Sequence, residues 1–287
     1  MKKILFSASA IVAVAAMTLY GTGAFFSDTE TSTGNVFTAG AIDLTVDSEQ
    51  HYNGNVCVWE GGLTNNQTEP STVGAWVWQG ASLYPVPGTY CYGSWTATNL
   101  GVQKFFNFND IKPGDEGENT ISLHINNNDA WLRMVIKDVT DLDNSCTEPE
   151  SAVDPDGTTC GTDGELREKL LFSVWLDQGA TAGFQGKCVS EGEGCSSGDL
   201  GEGDNVWQGQ QSEPKLISAG TIDPSDTNGI SEIWTLPTPL LGGQTAYFGV
   251  DWTLPLATGN EIQTDSMSAT MEFQVEQYRN NPSPSWN

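Results

Sequence analysis

Positive charge is what this chain has least of. Eleven Lys and Arg stand against 37 Asp and Glu in 287 residues, a formal net charge of −26. A surface this acidic repels phosphate backbones and anionic headgroups. Nucleic acid is therefore excluded as a partner, and a membrane is met only through an uncleaved leader. Histidine is scarcer still, with His51 and His124 alone. There is no His-Glu-x-x-His, no Cys-x-x-Cys, no Gly-x-Ser-x-Gly and no nucleotide-binding glycine loop. The usual apparatus of zinc peptidases and serine hydrolases is missing, so no catalytic residue is assigned and an enzyme is not expected. No apolar run reaches the ~20 residues that a membrane helix needs.

The longest apolar run, Ile4 to Leu19, follows Lys2 and Lys3 and precedes Thr22-Gly23-Ala24. Charged start, apolar middle and small-residue end make a secretory signal peptide over residues 1–24, with cleavage between Ala24 and Phe25. The plain alternative is an uncleaved anchor. Cleavage predicts a secreted, extracellular or cell-surface protein with signal peptidase as its partner during export. The mature chain has 37 acidic against 9 basic residues, a net −28. It would begin on exposed Phe25 and Phe26, followed by a Thr/Ser-rich extended stretch.

Six cysteines lie downstream of the leader: Cys57, Cys91, Cys146, Cys160, Cys188 and Cys195. In a secreted chain an even count reads as disulfides, and six cysteines allow fifteen full pairings. Sequence proximity and loop context favour Cys57–Cys91, Cys146–Cys160 and Cys188–Cys195.

Period-two alternation dominates the regular segments. Ile42, Leu44 and Val46 alternate with polar residues, as do Ile121, Leu123 and Ile125, and Ala269, Met271, Phe273 and Val275. Each pattern buries one face of an antiparallel strand. Further strands are expected around 130–139, 170–176, 230–236 and 245–254, with one helical turn or two at 164–171. The fold class is all-β, a sandwich at 41–278. Residues 48–103 lack clear periodicity and read as an aromatic-rich, disulfide-stapled insertion, and 279–287 as a flexible tail.

Acidic loops make calcium the one ion to expect. Asp141 and Asp143 close a strand, and Asp154, Asp156 and Asp163 follow in a Gly-rich loop. Calcium takes six to eight oxygens from loops of this kind, although no twelve-residue EF-hand pattern is present. A merely solvated acidic loop is the alternative, and no cofactor is required. His124, on the polar face of its strand, is expected to face solvent.

Three stretches together resemble the TasA/camelysin family of secreted fibre-forming proteins. They are the leader joined to Phe25-Phe26-Ser27-Asp28 and Phe37-Thr38-Ala39-Gly40-Ala41-Ile42-Asp43-Leu44, the turn Asp110-Ile111-Lys112-Pro113-Gly114-Asp115, and the closing run from Asp251-Trp252 to Glu276-Gln277. The resemblance implies a jelly-roll-like sandwich whose leader is removed by a dedicated peptidase. It also implies a homopolymer of identical subunits built by donor-strand complementation. Residues 25–40 would then be the donor segment, with Phe25, Phe26, Val36 and Phe37 as anchors. The donor segment folding back as its own subunit's edge strand is the competing arrangement. Camelysin-like relatives carry a metallopeptidase label, and a monomeric glycan- or calcium-dependent surface module is the third reading.

Overall fold

The structure, a computed structural model, describes residues 42–61, 74–177, 207, 213 and 215–286. Eleven strands lie among the described residues: β1 Leu44–Tyr52, β2 Asn55–Glu60, β3 Ala75–Gln79, β4 Trp95–Thr98, β5 Glu116–Ile125, β6 Ala130–Asp143, β7 Leu171–Leu176, β8 Lys215–Gly220, β9 Ile230–Thr235, β10 Thr245–Thr253 and β11 Asp265–Gln277. The one α-helical segment among the described residues is the short α1, Leu166–Lys169, within the stretch expected to be helical.

Two antiparallel sheets face each other. The larger runs β3-β2-β1-β5-β10-β7-β8 with β4 beside β1, and the smaller runs β11-β6-β9. From β5 onward the chain repeatedly changes layers, into the small sheet at β6, β9 and β11 and back at β7 and β10. This alternation makes the sandwich jelly-roll-like. The expected alternation puts Ile121, Leu123 and Ile125 at 0% exposure against Leu132, Met134, Val174 and Phe248. A second cluster joins Tyr52, Trp78, Trp252 and Leu254 to Leu166 and Leu170.

Two expectations are corrected. The segment 48–103 is not an excursion outside the sheet. β1 continues to Tyr52, turns at Asn53-Gly54, and returns as β2, which pairs with β3. Asn53 at φ 48° and Gly54 at φ 77° form the two-residue turn that matches the twist of a hairpin. The periodicity is masked because Ser48 and Gln50 are buried polar residues on the inner face, so β1 stops looking amphipathic halfway along. The tail is also not free. Trp131 Nε1 donates to Asn281 O at 2.8 Å, Glu276 accepts from Ser285 N at 2.9 Å and from Trp286 N, and Arg133 lies 4.7 Å over the Trp286 ring.

The disulfides Cys57–Cys91 and Cys146–Cys160 are formed. Cys188 and Cys195 lie outside the described residues. The Lys112-Pro113-Gly114-Asp115 turn is type II in character, with Gly114 at φ 94° and Asp115 N donating to Lys112 O at 2.9 Å. Its Asp115 carboxylate accepts from Tyr52 OH at 2.8 Å, Asn53 Nδ2 at 2.9 Å and Lys112 N at 2.7 Å, which ties the turn to the end of β1.

Candidate functional site

Pairing of β6 with β11 sets Asp143, the last residue of one, opposite Asp265, the first of the other. The chain leaving β6 is stapled by Cys146–Cys160 and carries a short 3-10 turn, Glu150–Ala152, back beneath this strand end. One carboxylate oxygen from each of Asp143, Glu150 and Asp265 lies within 4.8 Å of the other two. Asp143 also shares such a group with Asp154 and Cys160. The Cys160 sulfur is bonded to Cys146 and is no thiolate ligand.

Glu150 is fully buried at 0% exposure. Its Oε2 accepts from Thr147 N at 3.1 Å, whereas its Oε1 is buried without a hydrogen-bond partner. Asp265 Oδ2 accepts from Glu165 N at 2.6 Å and Leu166 N at 3.1 Å, and its Oδ1 is likewise buried and unpartnered. Glu165, at 9% exposure, leaves Oε2 unpartnered. Burial first, then the charges of Asp154, Asp265, Asp156 and Asp141, push Glu165 up to about 7. Burial likewise raises Asp265 to about 6, against the lowering effect of its backbone hydrogen bonds.

Of the five acids singled out from sequence, Asp143 and Asp154 enter this cluster. Asp141 does not, since Arg167 Nε stands 3.3 Å from its carboxylate. Asp156 and Asp163 are exposed on the wall of an adjoining cleft of about 450 Å³. Sequence reasoning missed Glu150 and Asp265. The Asp143–Asp265 register, which no local pattern shows, and the fold of the loop behind the expected Cys146–Cys160 staple bring them in.

His124 departs from expectation. It is half-buried, 2.7 Å from Asp47 Oδ2 and 2.8 Å from Thr245 Oγ1, because its neighbours on β1 and β10 carry short polar partners at that level. His51 pairs with Glu49 at 3.3 Å on its own strand. Neither metal-compatible group among the described residues contains a histidine.

A second feature is a sheet edge. Among the described residues β11 ends the small sheet and pairs only with β6. Its core-facing Met271, Phe273 and Val275 are only partly buried, as are Ile42, Leu44 and Trp95 of the facing layer. Phe105 spans the gap, 5.0 Å from the Trp95 ring and 5.9 Å from Phe273. Ala24, Phe25, Phe26, Val36 and Phe37 lie outside the described residues. No helix among the described residues is long and apolar enough to cross a membrane.

Comparison with known families gives one finding. The family model described as Camelysin metallo-endopeptidase matches residues 1–55, in agreement with the resemblance seen in the sequence. Within the described residues the match covers β1 and the first residue of β2. No curated protein matches the chain. The metal that the family description implies does not fit the acidic cluster. A peptidase zinc is held chiefly by imidazole, and every free donor here is a carboxylate oxygen.

Proposed function

We propose that the chain is a secreted structural subunit that assembles head-to-tail into extracellular filaments. Signal peptidase frees residues 25–40, and this segment of one copy adds as a strand to the open edge of β11 in the next. The observation that carries the reading is that edge: among the described residues the thirteen residues of β11 present one unpaired flank beside half-buried Met271, Phe273 and Val275. An edge strand offers unpaired N–H and C=O groups, and an incoming strand satisfies them while alternate side chains enter the groove. Phe25, Phe26, Val36 and Phe37 supply the apolar side chains for that role. A contact of this kind does not close on itself, so it yields a filament rather than a dimer.

The test is deletion of residues 25–40 from the mature chain, with negative-stain electron microscopy as readout. Filaments from the full mature chain and monomers from the deletion support the reading. Adding the synthetic 25–40 peptide should then cap the deleted chain as a 1:1 complex with a higher Tm. Filaments from the deleted chain would sink it.

Exposed Trp59, Tyr90 and Tyr92, at 57%, 65% and 67% exposure, favour a second reading as a monomeric glycan-binding surface module. It predicts a monodisperse monomer at high concentration that is retained on immobilised glycan. The peptidase reading suggested by the family description requires stoichiometric zinc and chelator-sensitive proteolysis.

A further inference from the structure

We propose that Asp143, Glu150 and Asp265, with Asp154 beside them, hold one calcium ion that locks the β6–β11 strand end to the disulfide-stapled loop. The donors are hard carboxylate oxygens throughout, the ligand class of calcium rather than of zinc or copper. Their mutual separation, within 4.8 Å, is the span of two oxygens held across one ion at about 2.4 Å each. Magnesium demands a tighter, near-octahedral shell at about 2.1 Å and sheds water reluctantly. A strand end, a 3-10 turn and a loop fixed at different angles suit the looser calcium shell better.

Acidic clusters are common in a chain of this charge, so proximity alone would prove little. The independent observation is Glu150. A carboxylate at 0% exposure with one oxygen unpartnered faces a large desolvation cost unless a cation shares its environment. Among the described residues none of Asp143, Glu150, Asp154 and Asp265 takes part in an ion pair, although Arg167 and Lys169 lie in the neighbouring α1. Those two bases are engaged with Asp141, Glu168 and Glu261 instead. Arg167 and Lys169 thus leave these acids alone, Lys137 is paired with Glu272, and Asp143, Glu150 and Asp265 converge from three chain segments. The occupant that matches this arrangement is a divalent cation.

Such an ion would act as a clasp at one end of the small sheet. It would join the first residue of β11 to the last of β6, and the loop closed by Cys146–Cys160 to both.

The experiment is isothermal titration of the full mature chain, stripped with chelator, against calcium chloride and separately against magnesium chloride, with thermal melts alongside. One calcium per chain is expected at this site, with a Tm rise of roughly 5–10 °C at hundredfold excess over Kd. Magnesium should bind at least tenfold more weakly. Glu150→Gln should weaken calcium binding at least tenfold. In chelator, the same variant should melt no lower than the parent, because a neutral amide replaces a buried carboxylate. Asp143→Asn provides a second loss of binding should Glu150→Gln fold poorly, and Asp226→Asn, an exposed acid elsewhere, should leave calcium binding unchanged. Absence of calcium binding up to millimolar concentration overturns the proposal. So does equal calcium binding by the parent and both site variants, or a Glu150→Gln chain that is destabilised equally with and without calcium. Filament formation is scored separately, so loss of the ion site and failure of strand addition remain distinguishable.

Discussion

Single side chains decide how the inner face tolerates polarity. Asn119, at 0% exposure, donates to Ser48 Oγ at 2.9 Å and to Phe105 O at 3.1 Å, and Gln50 Nε2 donates to the same Phe105 O at 2.7 Å. This small network fastens the 93–105 segment to the sheet. Asn119→Ala should therefore cost about 2–4 kcal/mol, since it leaves a cavity and unpaired acceptors together. Urea unfolding checks this, and a cost under about 0.5 kcal/mol would show that the network is dispensable. On the opposite face Glu118 has both carboxyl oxygens buried. Burial first, then Asp177, Glu49 and Asp251, raise it well above the ordinary 4.5 of glutamate. The folded chain thus holds this proton more tightly than the unfolded chain. The stabilising contribution is full below pH 4.5 and is lost as pH rises through the raised value. Glu118→Gln should accordingly stabilise by about 1 kcal/mol at pH 8 and by nothing at pH 4. Melts at the two pH values give the sign. Little of this was readable beforehand, because Asn119 and Glu118 sit on one strand as ordinary polar residues until Gln50 and Asp251 are placed opposite them.

Strand elements were far more legible than their partners. Alternation marked β5, β11 and the first half of β1 because each has one apolar face turned to the core there, so the period survives in the sequence. It failed for β2 and β3, where Val58 pairs with Val77, and Trp59 with Trp76, in an aromatic hairpin whose two faces are both partly apolar. The Asn53-Gly54 pair was the local signal that could have revealed it. Asp143 and Asp154 were readable as members of an acidic cluster because they lie at or near an acidic loop. Glu150 and Asp265 were not, because Asp265 arrives only through the β6–β11 register and Glu150 only through the fold of the loop behind the expected Cys146–Cys160 bridge. The Cys57–Cys91 bridge has its own test at this scale. It joins β2 to the loop after β3 across 34 residues, and both cysteines pack in the cluster around Tyr52 and Trp78. Replacing both by Ala should cost about 2–4 kcal/mol, mostly by freeing the unfolded chain. Melts of the variant, and of the parent with and without reductant, measure it. An unchanged Tm would assign the stability of this hairpin to its aromatic contacts alone.

For the molecule as a whole, charge opposes the proposed assembly. A chain at −26, and −28 without its leader lysines, must approach copies of itself against a long-range repulsion that no single contact removes. The proposed strand addition would be short-ranged and act only once the edge of β11 is reached. The two terms separate by range, so salt should act on one and spare the other. The screening length falls from about 14 Å near 0.05 M to about 3 Å at 1 M monovalent salt. The critical concentration for filament formation should therefore drop at least tenfold over that interval, measured by light scattering in sodium chloride with chelator present to exclude divalent bridging. Once formed, filaments should dissociate at nearly salt-independent rates, because the donor-strand hydrogen bonds and the apolar groove around Phe273 are screened very little. A critical concentration indifferent to salt would mean that the acidic surface faces away from the growing contact. Charge would then govern spacing between filaments and not growth within one.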